Sequence, residues 1–277
     1  SRNFLNTFYF RSGKKCCCTF ICEHGSLYGI VSSRIDENGF ERKRNFMIQI
    51  SNLSKKYGET VVFSDLNYTF ENTCIYGLVG RNGAGKTTLL NILSNYDKNY
   101  TGVISIDGEK MNKVDYLDMP VAYAMDQPSF FNELTIYENL LLIASSRKIK
   151  KQEAFDKIER ILDGLGLKKY ENYSPLELSK GTMQRLNNAC AMIQEEKITI
   201  FDEPFSGLDP VQMKLLENVI VEFHKKEKGI YIISSHDIEC LQNVCDKCLL
   251  LHNGQIREIN TEEVDREKIA KILSEGE

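Results

Sequence analysis

Ile48 and Ile50 alternate with polar Gln49 and Ser51 in Met47-Ile48-Gln49-Ile50-Ser51-Asn52-Leu53, the period of a strand with one buried face. Further short strands are expected over residues 60–63, 66–70 and in Gly102-Val103-Ile104-Ser105-Ile106-Asp107-Gly108, which closes on a turn. Alternation is absent from the compact apolar runs at 198–201 and 230–234, the mark of parallel strands covered on both faces. Helical spacing takes over between these groups. Residues 134–146 are apolar enough for a buried helix, and Phe155, Ile158, Ile161, Leu162 and Leu165 form a one-sided stripe read as core packing. Gly164 and Gly166 end that helix, and Ser179 is a natural N-cap for another running through Ala191.

These elements predict an α/β fold: a mostly parallel core, a small antiparallel sheet beside it, and an inserted helical subdomain at about residues 129–185. The body is expected to span 47–255, followed by a helical tail over 256–277. Residues 1–46 show no sustained period and hold Cys16, Cys17, Cys18 and Cys22. The native start is expected at Met47, with residues 1–46 disordered or translated upstream sequence. That segment carries eight Lys/Arg against four Asp/Glu, so with −4 overall the remainder carries −8. An acidic body argues against nonspecific nucleic-acid binding. Nine cysteines, an odd count in a chain too large to need staples, favour reduced thiols in the cytoplasm. Cys245 and Cys248 have metal-ligand spacing without a second such pair, and are read as small buried residues. No apolar run approaches the ~18 residues that span a bilayer.

Candidate chemistry begins at Gly80-Arg81-Asn82-Gly83-Ala84-Gly85-Lys86-Thr87-Thr88, set between an apolar strand and a helical pattern. Glycines at these places let backbone N–H groups wrap a polyphosphate, a lysine reaches its β and γ phosphates, and the Thr87 hydroxyl is placed to ligate Mg²⁺. The following helix N-terminus adds partial positive charge. A triphosphate site also needs an acid for Mg²⁺ and a group to activate water. Ile198-Thr199-Ile200-Phe201-Asp202-Glu203-Pro204 ends a buried strand in two carboxylates whose side chains diverge. Asp202 is assigned to the metal shell and Glu203 to the water, as general base.

Beyond these two motifs, residues 47 to about 255 resemble the ATP-binding subunit of an ABC transporter. The resemblance rests on Tyr57 in Lys55-Lys56-Tyr57-Gly58, Gln127 in Asp126-Gln127-Pro128, and Leu178-Ser179-Lys180-Gly181-Thr182-Met183-Gln184-Arg185. It continues in Ser206-Gly207-Leu208-Asp209 and in His236 of Ser234-Ser235-His236, all in the family's order. It implies a phosphate-loop NTPase fold that binds and hydrolyses ATP with Mg²⁺. Tyr57 would stack on adenine, and Gln127 would touch Mg²⁺ and link the nucleotide to a membrane subunit. Ser179 and Gly181 would close over the γ-phosphate held by a second subunit, with Asp209 in the dimer contact and His236 as the switch histidine. Lys180 and Thr182 depart from the commonest signature residues, and Phe205 stands where a Thr is usual. Implied partners are an integral-membrane permease and a like or unlike second ATP-binding subunit, at the cytoplasmic face of a bacterial membrane. Residues 132–140 together with 179–181 look like bacterial exporters of drugs or peptide antibiotics, and Phe130 and Phe131 are candidates for the groove that takes a helix of the permease. The rival reading is a soluble ATPase of the same fold that acts on a macromolecular complex.

Overall fold

In the computed structural model, residues 46–71, 73–114, 119–236 and 238–259 are described. The expectations for residues 1–45 and for 260–277 therefore lie outside the described residues. Strand β1 (Met47–Tyr57) turns at Gly58 into β2 (Thr60–Glu71), and β3 (Cys74–Val79) leads through the glycine loop into α1 (Lys86–Leu93). A hairpin follows, β4 (Thr101–Ile106) and β5 (Glu109–Lys110), then β6 (Val121–Ala124). Three helices come next: α2 (Ile136–Ser146), α3 (Lys151–Gly164) and α4 (Lys180–Met192). Strand β7 (Ile198–Phe201), helix α5 (Pro210–Glu227), strand β8 (Ile230–Ser235) and the short α6 (Ile238–Gln242) precede the final hairpin, β9 (Lys247–His252) and β10 (Gln255–Ile259).

Two sheets result. The antiparallel one has the order β2-β1-β4-β5; the other runs β10-β9-β3-β8-β7-β6, with β9, β3, β8, β7 and β6 mutually parallel and β10 antiparallel at its edge. Successive residues of β8 serve opposite cores. Tyr231 and Ile233 pack with α2 to α5, whereas Ile230 and Ile232 join Leu89 and Leu90 of α1 and Ile48 and Leu66 of the antiparallel sheet. The parallel sheet is thus covered on both faces, which is why its strands read as unbroken apolar runs.

Several details differ from expectation. The two strands expected at 60–63 and 66–70 are one, β2, carried past Asp65 by a left-handed residue (φ 51°) whose N–H bonds to Ser54 Oγ. Asn52 of β1 is also left-handed, its N–H bonded to Asn67 Oδ1, so matched irregularities keep the pair in contact. Phe155 does not belong to the buried stripe of α3; it is 46% exposed and Ala154 takes the inward position. The helical tail expected from residue 256 begins instead as strand, because Gln255–Ile259 pairs along β9. Phe46, on the far side of the expected start, is buried against the antiparallel sheet's core.

Candidate functional site

The glycine loop is shaped by close approach from below. A Cβ on Gly80 would stand 2.8 Å from Leu251 O, and one on Gly85 (φ 100°) would stand 2.7 Å from Val62 Cγ1. Only glycine lets the backbone sit there, with Gly83 (φ 83°) and the Ala84 N–H to Arg81 O bond completing the turn. Lys86 opens α1 with its side chain folded back, Nζ donating to Gly80 O at 2.8 Å and lying 3.5 Å from Glu203 Oε1. The cation therefore sits inside the curl of the loop. Arg81, Asn82, Gly83, Gly85, Lys86, Thr87 and Thr88 line one wall of a cleft of about 530 Å³, which Asp126, Glu203, Ser206 and His236 close from the other side. Tyr57, Thr60 and Val62 form its rim. The Tyr57 hydroxyl donates to Asp97 Oδ2, and Lys55 Nζ lies 4.5 Å from the ring centroid and 2.7 Å from the same carboxylate oxygen. That anchorage presents a half-exposed aromatic surface at the cleft edge.

Both carboxylates lie just past β7, which ends at Phe201, so the strand alternation expected to part their side chains does not govern them. Asp202 is buried; Ser234 Oγ donates to its Oδ1 at 2.5 Å, and the Tyr123 hydroxyl stands 3.5 Å from its Oδ2 while donating to Asn91 Oδ1 on α1. Burial pushes the Asp202 carboxyl above the usual range, with hydrogen bonds from Ser234 and Thr87 working the other way. The Thr87 bond brings the first turn of α1 and the acid strand to one point. Glu203 adopts a left-handed backbone (φ 49°), a conformation that costs a non-glycine residue roughly 1–3 kcal/mol. It turns the side chain back toward the cleft, where Oε2 meets His236 Nδ1 at 2.9 Å.

Gln127 is not in this group: it is exposed and off the cleft wall, and its neighbour Asp126 lines the wall instead. Ser179, Gly181 and Asp209 are also elsewhere. Ser179 caps α4, its Oγ accepting the Thr182 N–H, and Asp209 caps α5 through the Gln212 N–H. A Cβ on Gly181 would stand 3.0 Å from Gly207 O, so the signature turn and the loop before α5 are pressed together. Helix α4 links this second cluster to the first. Gln184 and Asn188 donate to the carbonyls of Glu203 and Pro204, and Asn187 donates to Met125 O beside Asp126. Phe205 is buried in the core beneath the same loop.

Residues with no sequence assignment to the site include Val62, Asp126, Tyr123 and Ser234. Val62 comes from the neighbouring sheet, and only the fold brings it to the glycines. Ser234 lies within the Ser-Ser-His run quoted for its histidine, but the run gives no sign that its first hydroxyl reaches another strand. Among the described residues no group of His, Cys, Asp and Glu is arranged to hold a metal by itself, and Cys245 and Cys248 are free thiols, the latter buried in β9.

A family model described as ABC transporter matches residues 63–206. An uncharacterized ABC transporter ATP-binding protein of Methanocaldococcus jannaschii is 32% identical, the match covering 75% of each chain. The bacitracin transport ATP-binding protein BcrA of Enterococcus faecalis is 30% identical over 80% of this chain and 71% of that one. A tungstate uptake system ATP-binding protein of Peptoclostridium acidaminophilum is also 30% identical, over 76% of this chain and 97% of its own length. Among solved structures, an ATP-binding subunit of an ABC transporter superposes with a TM-score of 0.72 at 26% identity, covering 83% of this chain and 98% of that one.

Proposed function

The chain belongs to the ABC transporter family as an ATP-binding, ATP-hydrolysing subunit, and on that premise we propose that two such subunits close face to face over ATP to drive a separate membrane-spanning permease in export. One observation carries the reading. The phosphate cleft and the signature cluster are both built in this chain, yet Ser179, Gly181 and Asp209 do not line its own cleft. A helix N-terminus capped by a hydroxyl is an anion site in want of an anion, and a second subunit's cleft holds one. The second subunit is another copy of this chain or a different cassette.

Within the cleft, backbone N–H groups of residues 80–88 bind the phosphates of ATP and Lys86 moves from Gly80 O to the γ-phosphate. Tyr57 offers its ring to adenine, a contact worth ~1–3 kcal/mol for a base on an aromatic. Thr87 and Asp202 are the residues that would hold Mg²⁺, joined by Gln127 once its loop turns inward. The fit is supported by a buried carboxylate bonded to the Thr87 hydroxyl beside glycines that tolerate no Cβ. Bound Mg²⁺ would supply charge neutralisation at the phosphate oxygens. Glu203 takes a proton from the attacking water at its carboxylate, and His236 holds that carboxylate in place through Nδ1.

No helix among the described residues is long and apolar enough to cross a membrane. Coupling therefore falls to a surface, and the turn carrying half-buried Phe130 and Phe131 suits it. Asn139 of α2 pins Phe131 through both backbone groups, and Ser174 Oγ donates to Asn132 O, which sets exposed Leu176 near the same turn. We place the assembly at the cytoplasmic face of a bacterial membrane. The direction, export, rests on the likeness of residues 132–140 and 179–181 to bacterial exporters. Purification from native membranes tests the reading: a hydrophobic polypeptide recovered in fixed ratio supports it, and recovery with a soluble macromolecular complex instead contradicts it.

A further inference from the structure

The two acids share more than adjacency. Ser234, on β8, is fully buried, and its single hydroxyl meets both of them: Oγ–H donates to Asp202 Oδ1 at 2.5 Å, and the same Oγ accepts the Glu203 N–H at 2.9 Å. A hydroxyl has one proton to donate and two lone pairs, so the two bonds are compatible and fix the rotor completely. The first bond aims a buried carboxylate. The second holds the peptide of a residue whose left-handed backbone is otherwise unfavourable. Two residues further along the same segment, His236 meets the Glu203 carboxylate. Displacing the end of β8 would therefore disturb Asp202, the Glu203 backbone and the Glu203 side chain together.

We propose that Ser234 is a positioning residue for hydrolysis: it orients the metal-side acid and holds the general base in its left-handed turn through one hydroxyl. This rests on the roles assigned above to Asp202 and Glu203. Removing such a supporting partner typically lowers metal affinity or activity by about 10–100-fold. Ser234 does not line the cleft, so the residues that cradle ATP keep their side chains in its variants.

The test uses the full chain with Ser234→Ala, the slightly larger and weakly hydrogen-bonding Ser234→Cys, the hydroxyl-retaining Ser234→Thr, and Glu203→Gln alongside. Ala and Cys should lower kcat by about 10–100-fold while KM for ATP stays within about threefold. Calorimetric ATP affinity in EDTA should be unchanged, while the Mg²⁺ concentration needed for half-maximal nucleotide binding rises. Thr should restore most of kcat. Parental kcat in Ser234→Ala beside an inactive Glu203→Gln overturns the positioning role and leaves Glu203's assignment standing. An active Glu203→Gln removes the reading on which the proposal rests. If Ala and Cys lose melting temperature and EDTA-state ATP affinity in step with kcat, and Thr restores none of them, Ser234 only fills the core and the proposal is again overturned.

Discussion

Glu203 and Lys86 face each other across the cleft at 3.5 Å, and their exchange shows how the resting site is arranged. The ammonium satisfies itself on Gly80 O and approaches the carboxylate; on the proposed mechanism a triphosphate would compete for it and free Glu203 for water. Glu203→Gln keeps the shape but cannot accept a proton, so steady-state hydrolysis should fall by ~10²–10⁴-fold with ATP binding retained. Lys86→Ala should instead weaken ATP binding measured by calorimetry with Mg²⁺ present, because the phosphates lose their buried cation. An unchanged affinity would contradict the cradle. The glycines, the lysine and the acid pair were legible because each is a local requirement of phosphate chemistry at fixed spacing. The Ser234 hydroxyl and the Tyr123 phenol were not, because their value comes from which strands lie side by side. Asp126 and Gln127 show the same limit at closer range: adjacent residues, of which the fold turns the first toward the cleft.

At the scale of elements, α2 is held by local chemistry. Thr135 and Glu138 form a reciprocal capping box, and the Asn139 amide bonds Phe131, Leu134 and Thr135 carbonyls in the preceding turn. Loss of such a cap costs about 1 kcal/mol, and in a domain of this size that is a fall of ~2–4 °C in melting temperature for Thr135→Ala. An unchanged Tm would mean that tertiary packing alone holds the turn. Helix and strand identities were mostly visible in the apolar periods. Strand β6 was missed because four residues carry no period of their own; it exists through pairing with β7. The polar pair Ser64-Asp65 interrupts the apolar run of β2, and only the partner strand's matching irregularity shows that pairing continues.

The whole molecule is pinned at the end of the parallel sheet away from the cleft. Arg147, at the end of α2, bonds Gln194 and Glu196, and the buried Lys157 of α3 pairs with Glu195 and Glu227. These pairs hold α2 and α3 to the loop before β7, and α3 also to the end of α5. Burial raises Glu196 to about 7, with Arg147 and Lys197 opposing. A carboxyl with a raised folded pKa binds its proton more tightly when folded, so stability declines as pH rises from the unfolded value to about 7 and is level above it. The melting temperature of Glu196→Gln relative to the parent should therefore rise between pH 5 and pH 8; a difference independent of pH would show that Glu196 is ionised throughout. The cleft and the signature cluster are joined through the amides of α4 and through the loop in which Ser206 lines the cleft and Gly207 meets Gly181. In the proposed assembly a second subunit completes each site, and in its most direct form copies of this chain complete each other's. Sedimentation of Glu203→Gln at saturating ATP and Mg²⁺ measures this directly: self-completion predicts dimers that revert to monomers when Ser179→Arg is added, and monomers in the Glu203→Gln protein itself would contradict pairing between copies of the chain.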